Sequence, residues 1–309
     1  VIAEVRRAVE ILRAGGLVAF PTETVYGLGA DAASSAAVAR LYAAKGRPAD
    51  HPVIVHFADA ARAFEWAREV PEAAKKLAAR FWPGPLTMVL KRSSKAGDFV
   101  TGGQDSVGLR VPSHPVAQDL LREFGGGVAA PSANRFGNIS STTAAHVTEE
   151  LKVELVLDGG ASEVGIESTI VDVSSSNLVL LRPGRISKEQ IQDLLKITIR
   201  DKQSDSPRHS GGLERHYAPR TPALLVAPHA LDAEIGKRKA AVAVLAFSRP
   251  DERVDYWIRM PREPQAYAQR LYAALRELDG AGCGAILIEA PPDTAEWAAV
   301  RDRLSRATG

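Results

Sequence analysis

Residues 20–32 read FPTETVYGLGADA. An apolar strand, LVAF (17–20), runs into Pro21 and then into Thr22, Glu23, Thr24 and Tyr26, with Gly27 and Gly29 close behind. A reverse turn needs Gly, Asn or Asp for its backbone angles and has no use for three hydroxyls and a carboxylate. Polar side chains carried at the end of a rigid strand suit a site that reads a small ligand.

Working outward, Val5, Ala8, Val9 and Leu12 fall on one helical face, and Gly15-Gly16 ends that helix. Downstream the alternation predicts a helix near 35–44, a strand over 52–57, helices near 59–69 and 71–81, and a strand over 86–92. Strands at 106–112 and 128–130, around 155–158, 169–173 and 178–181, and helices near 115–124, 143–151 and 187–195 complete residues 1–199. Strands alternating with helices, some strands being adjacent, predict an α/β domain with a mixed sheet. Residues 200–222, RDKQSDSPRHSGGLERHYAPRTP, are polar, rich in Pro and Gly, and read as a solvated linker. Within it, Gly211-Gly212 beside His216, Tyr217 and Pro219 predicts a hinged lid over 206–219. Residues 223–309 resume the alternation as a second, smaller α/β domain.

Bulk composition narrows the class. A chain of 309 residues has room for two cores. With 45% hydrophobic residues and a net charge of +2, it reads neither as disordered nor as coated in phosphate-binding charge. The single cysteine, Cys283, excludes an internal disulfide framework and reads as a small buried apolar residue. The seven histidines show no HExxH spacing, so no dedicated metal site is expected. No apolar run approaches the roughly 20 residues of a membrane span, and no signal peptide is visible. A soluble, cytoplasmic protein with no membrane contact is the expectation. The Walker and G-x-G-x-x-G loops are missing, and YGLGA with its two glycines is weak alone.

Polar clusters recur at the ends of the apolar strands. In KGRPADHP (45–52), Lys45 and Arg47 straddle a glycine while Pro48 turns the chain; the arrangement suits converging phosphate contacts, although for the bare motif a solvated helix end is the better reading. In VGLRVP (107–112), Val107, Leu109 and Val111 take one face and Gly108 and Arg110 the other. A guanidinium beside a residue with no side chain is placed to fork a carboxylate or phosphate; a surface ion pair is the plain alternative. APSANRFGNISST (130–142) gathers Ser132, Asn134, Asn138, Ser140 and Ser141 ahead of a helix, which makes an anion pocket without net charge. GIESTIVDV (165–173) adds Ser168 and Thr169, and LLRPGRIS (180–187) adds Arg182. Together these strand ends predict a ligand cavity.

The ordered motifs PTETVYGLGADA, KGRPADHP, WPGPLTMVL, VGLRVP, APSANRFG, ESTIVDV and LLRPGRI closely resemble the YrdC-like family. The domain beyond HYAPRTP resembles the two-domain form of that family. The resemblance implies a YrdC-like twisted mixed sheet with helices, linked to a smaller Rossmann-like α/β domain. It implies condensation of L-threonine, bicarbonate and ATP to threonylcarbamoyl-adenylate with release of pyrophosphate, Mg2+ accompanying the ATP. The product would pass to downstream tRNA threonylcarbamoyl-transfer proteins. By motif, the threonine pocket would comprise Thr24, His56, Arg110 and Ser168. The nucleotide side would comprise Lys45, Arg47, His51, Ser106, Ser132, Asn134, Ser140, Arg182 and Ser210, with Lys45 and Arg47 serving the chemistry at the phosphates. Thr22, Glu23 and Tyr26 would line the small-substrate end. Two departures stand out: Ala130 replaces a frequent Thr, and Ser210-Gly211 replaces a frequent Pro-Gly in the linker. Relatives have been linked to double-stranded RNA, so a weak RNA contact, or a non-catalytic RNA-binding module, is the rival reading. The near-neutral charge and the lack of a basic stripe speak against it. A related carbamoyl-adenylate enzyme is the second rival.

Overall fold

The four residues that share a helical face near the start of the chain are the buried ones of α1 (Ile2–Arg13). The computed structural model describes residues 2–213 and 215–309. After β1 (Val18–Phe20) comes β2 (Gly27–Asp31), a strand the sequence reading does not place. A Cβ on Gly29 would stand 2.9 Å from the Phe20 ring and 3.0 Å from Val128. This glycine serves close packing against β1, not a bend. The Ser34 hydroxyl caps α2 (Ser35–Lys45), and Gly46, at φ 65°, stops it. Lys45 and Arg47 therefore leave the helix end together.

The chain continues through β3 (Ile54–His56), α3 (Ala60–Phe64), α4 (Glu72–Phe81) and β4 (Leu86–Lys91). A short α5 (Asp98–Thr101) precedes β5 (Ser106–Arg110). His114 caps α6 (Pro115–Phe124), and β6 (Val128–Ala129), α7 (Ala144–Glu150) and β7 (Leu155–Val156) follow. β8 (Thr169–Asp172), β9 (Val179–Arg182), α8 (Lys188–Leu195) and β10 (Arg200–Asp201) complete the run. These ten strands form one mixed sheet in the order β10-β9-β8-β4-β5-β3-β6-β2-β1-β7.

The centre of that sheet positions the site. β5 runs parallel to β3 and antiparallel to β4, so Arg110 faces His56 on one side and Thr87 on the other. Val107, Leu109 and Val111 join Val55, Met88 and Leu90 in the main core on one face. On the opposite face Ile54, Val89, Ile170 and Leu181 make a small apolar cluster. Ser106, Gly108 and Arg110 lie on that second face by strand alternation.

A second sheet contains β11 (Ala223–Val226), β12 (Val242–Ala246), β13 (Tyr256–Arg259) and β14 (Ala285–Glu289). All pairings are parallel, in the order β11-β14-β12-β13. With α9 (Leu231–Gly236), α10 (Pro264–Asp279) and α11 (Ala298–Thr308) it makes an α/β layer structure. β12 is buried along its whole length, which explains its unbroken apolar run.

The chain divides into two compact units. One takes in residues up to Phe136, Ser141–Glu163 and Glu167–Gly212; the other takes in Gly137–Ser140, Val164–Ile166 and Leu213–Gly309. The stretch that reads as a linker is thus shared between them. Residues 200–212 go with the first unit. Tyr217 belongs to the second, buried 5.8 Å from the Tyr272 ring with the Arg303 guanidinium 5.4 Å from its own ring. The lid expected over 206–219 is therefore split: only its first half belongs to the unit that holds the cavity. No helix among the described residues is long and apolar enough to cross a membrane.

Candidate functional site

The first unit holds an open pocket whose floor is the second face of the central strands: Ile54, Thr87, Val89, Gly108 and Ile170. Ser106 lines it at the start of β5, and Gln104, Arg208 and Ser210 line it from above the strands' edge. A Cβ on Gly108 would sit 3.4 Å from Ile54 and 3.6 Å from Thr87, which is ordinary contact. Crowding does not demand this glycine; its effect is to leave the floor open.

Two residues along the same face lies Arg110, fully enclosed. Its Nη2 donates to Glu23 Oε1 at 2.7 Å, its Nη1 to Thr24 Oγ1 at 2.9 Å, and its Nε to the Gly84 carbonyl at 3.4 Å. Glu23 Oε2 accepts from the Ser113 amide at 3.1 Å. The Thr22 and Thr24 hydroxyls are 2.9 Å apart, and Thr22 also donates to the Val25 carbonyl at 2.6 Å. The polar run after β1 therefore closes round a guanidinium. Of its five N–H groups, three have partners among the described residues and two do not. Next to it, His56 is buried with Nδ1 unpartnered, edge-on to Phe20 at 6.3 Å. Burial first, and then the Arg110 charge, pushes the His56 pKa down to about 3, so the ring is neutral.

Ser168 joins this end to the next. Its hydroxyl lies 2.8 Å from Thr87 Oγ1 and accepts from Arg182 Nη2 at 3.1 Å. Arg182 also donates from Nε to the Ser168 carbonyl at 3.0 Å and from Nη1 to the Ser210 carbonyl at 3.0 Å. The Ser210 hydroxyl donates to the Pro52 carbonyl at 3.1 Å and lies 3.4 Å from Arg47 Nη2, which itself gives 2.8 Å to Pro52. Arg47 and Arg182 are thus both anchored on one serine of the former linker. Arg47 also lies over the Phe136 ring at 5.5 Å, and His51 meets the same ring edge-on at 5.4 Å. Partial burial, then the Arg47 charge, lowers the His51 pKa.

Lys45 is buried and donates to the carbonyls of Ser132, at 2.5 Å, and Asn134. Two of its three N–H groups are spent in fastening the 132–134 segment. Burial, reinforced by Arg47, holds its pKa well below the usual lysine value. The Asn134 amide donates to the Arg135 carbonyl at 2.7 Å. Ser140 is buried and groups with the second unit. The structure therefore gathers Thr24, His56, Arg110 and Ser168 at one end, and Arg47, His51, Arg182 and Ser210 at the other. Ser106 lies on the cavity floor, and Lys45, Ser132 and Asn134 form a fastened segment beside Arg47.

Sequence reading passes over three contributors. Thr87 is a hydroxyl in an otherwise apolar strand, and that interruption is its only signal. Phe136 supplies the ring under Arg47. Gln104 accepts from the Arg208 amide at 2.7 Å and donates to its carbonyl at 3.1 Å, a reciprocal clamp with no sequence signature. Among the described residues no group of three or more His, Cys, Asp or Glu is arranged to hold a metal ion.

Comparison with known proteins covers the whole chain. Residues 10–184 match the Sua5/YciO/YrdC family, described as telomere recombination, and residues 186–309 match the threonylcarbamoyl-AMP synthase C-terminal domain. The threonylcarbamoyl-AMP synthase of Pyrococcus abyssi is 39% identical over 99% of this chain and 94% of its own length. That of Bacillus subtilis is 39% identical over 99% and 93%. The crystal structure of P. abyssi Sua5 complexed with L-threonine superposes with a TM-score of 0.93 at 38% identity, covering 100% of this chain and 95% of that one.

Proposed function

From a chain that belongs to the Sua5/YciO/YrdC family and carries the threonylcarbamoyl-AMP synthase C-terminal domain, we infer an ATP-consuming synthase. It joins L-threonine, bicarbonate and ATP into threonylcarbamoyl-AMP and pyrophosphate. The observation that carries this reading is Arg110, locked by Glu23 and Thr24 with two N–H groups left for a bidentate carboxylate.

The chemistry asks for positioning more than for a nucleophile. The amine of threonine adds to CO2 from bicarbonate, losing a proton and giving a carbamate. A carbamate oxygen then attacks the α-phosphorus of ATP as the bond to the pyrophosphate oxygen breaks. Arg110 holds the amino-acid carboxylate, while the Thr24 and Ser168 hydroxyls and the neutral His56 ring shape the space beside it. Arg47 and Arg182 meet the phosphates and offset the charge that develops there. Magnesium enters as the substrate Mg–ATP, on the phosphates themselves. Lys45 gives its N–H groups to two carbonyls, and its main part is to fix the 132–134 segment beside Arg47. Ser106, Ser132 and Asn134 supply further polar contacts to the nucleotide, with His51 near Arg47. The product is a mixed anhydride, and in the cytoplasm it passes to the proteins that transfer threonylcarbamoyl to tRNA. Any direct RNA contact is weak and salt-sensitive, in keeping with a net charge of +2.

Pyrophosphate release measured with Mg–ATP, L-threonine and bicarbonate tests the assignment. Omission of threonine or bicarbonate should abolish release, and chelation of magnesium should do the same, reversibly. Equal release without threonine would overturn the reading.

A further inference from the structure

The Glu23–Arg110 pair is more enclosed than any purely positional role requires. The two side chains are 6% and 5% exposed, and the ion pair is 2.7 Å long. Neither Glu23 oxygen is idle: one accepts from Arg110 and the other from the Ser113 amide. The stretch that carries Glu23 is itself tied down, through the Thr22 hydroxyl to Val25 and through the Tyr26 hydroxyl to the Gly160 carbonyl at 2.8 Å. The carboxylate cannot swing away when a ligand arrives.

We propose that Glu23 sets the net charge of the amino-acid pocket at zero and so makes it select a zwitterion over an anion or cation of the same shape. The proposal rests on the reading that Arg110 receives the substrate carboxylate. Burial penalises uncompensated charge far more than it penalises a balanced pair. Glu23 and Arg110 cancel, and His56 beside them is neutral; Arg182, which reaches the Ser168 hydroxyl from the phosphate end, belongs to the charge of that end. A zwitterion keeps the sum at zero: its carboxylate takes the two remaining N–H groups of Arg110, and its ammonium lies in the field of Glu23. An anion of the same skeleton would leave a buried net negative charge, and a cation a net positive one. Thr24 and Ser168 contribute hydroxyls without altering this sum.

Binding to the intact chain, measured by calorimetry, tests the idea with three ligands: L-threonine, 2,3-dihydroxybutanoate and L-threoninamide. The hydroxy acid replaces the ammonium by a hydroxyl, and the amide removes the carboxylate charge. In the unaltered protein, threonine should bind at least tenfold more tightly than either. In Glu23→Gln the pocket gains a net positive charge, and the preference for threonine over the hydroxy acid should fall about tenfold or more. Glu23→Asp keeps the charge and should keep that preference even where both ligands bind more weakly. A preference unchanged in Glu23→Gln, or lost equally in Glu23→Asp, would overturn the inference, as would either charged analogue matching threonine on the unaltered protein. Arg110→Lys separates the two ideas. If it leaves threonine affinity intact, the reading of Arg110 itself is wrong; if it weakens threonine while Glu23→Gln leaves the preference unmoved, only the charge rule fails.

Discussion

A guanidinium that already gives three N–H groups to the protein has little freedom left to lose when a substrate arrives. Replacing Arg110 by Lys keeps the charge but removes the planar fork. Losing a charge-assisted hydrogen bond costs about 1.5–3 kcal/mol, or roughly ten- to a hundredfold in threonine affinity. ATP affinity should change little, and calorimetry with each ligand alone separates the two. His56 carries a different expectation. Its folded pKa of about 3 lies below the ordinary 6.5, so the unfolded chain binds the extra proton first as the pH falls. The stability this group contributes is whole above pH 6.5 and drains away towards pH 3. At about pH 5 the loss is on the order of 2 kcal/mol. His56→Asn removes that titration, so the gap in urea midpoint between parent and variant should narrow from pH 7.5 to about pH 5. A constant gap would mean that His56 is not held neutral by burial.

At the scale of elements, alternation decides the site. β5 turns Val107, Leu109 and Val111 into the core and Ser106, Gly108 and Arg110 towards the cavity face. That division is legible in VGLRVP because the side-chain period of a strand is two. β2 was not legible. Its two glycines carry no strand signal because their reason, the Phe20 ring packed against them, lies on another strand. The clamp between Gln104 and Arg208 was equally hidden, since its Arg208 side is a backbone amide and carbonyl. The clamp holds Arg208, two residues before Ser210, on which Arg47 and Arg182 are anchored. Two such hydrogen bonds contribute about 1–3 kcal/mol together. Gln104→Ala should therefore weaken ATP binding by about five- to a hundredfold and speed hydrolysis or escape of the adenylate, with the melting temperature lowered by only about a few degrees. Product retention equal to the parent's would show that the segment is no lid.

The whole molecule sets where the chain can be cut. Because residues 200–212 belong to the first unit, the informative comparison is between chains 1–199 and 1–212. The shorter one loses β10, the edge strand paired with β9, and with it Ser210 under Arg47 and Arg182. The longer one should bind ATP about tenfold or more tightly than the shorter. Equal affinities would mean that Ser210 contributes nothing to the nucleotide side.

By itself the sequence determined the class of fold, the strand faces, and the identity of the motifs, because periodicity and residue type are local properties. It also named nearly every side chain that meets at the site. Which of them touch was decided only by the tertiary structure. Glu23 and Arg110 are far apart along the chain, and β3, β6 and β2 lie between β1 and β5 in the sheet; they become partners only because the segment after β1 packs against the end of β5. Lys45 is directed to the carbonyls of Ser132 and Asn134 by the end of α2, and a carbonyl is common to every residue, so no pattern of side chains announces it. The boundary after Gly212 follows the same logic: no change of residue pattern marks it, and only the contacts residues make elsewhere assign them to one unit or the other.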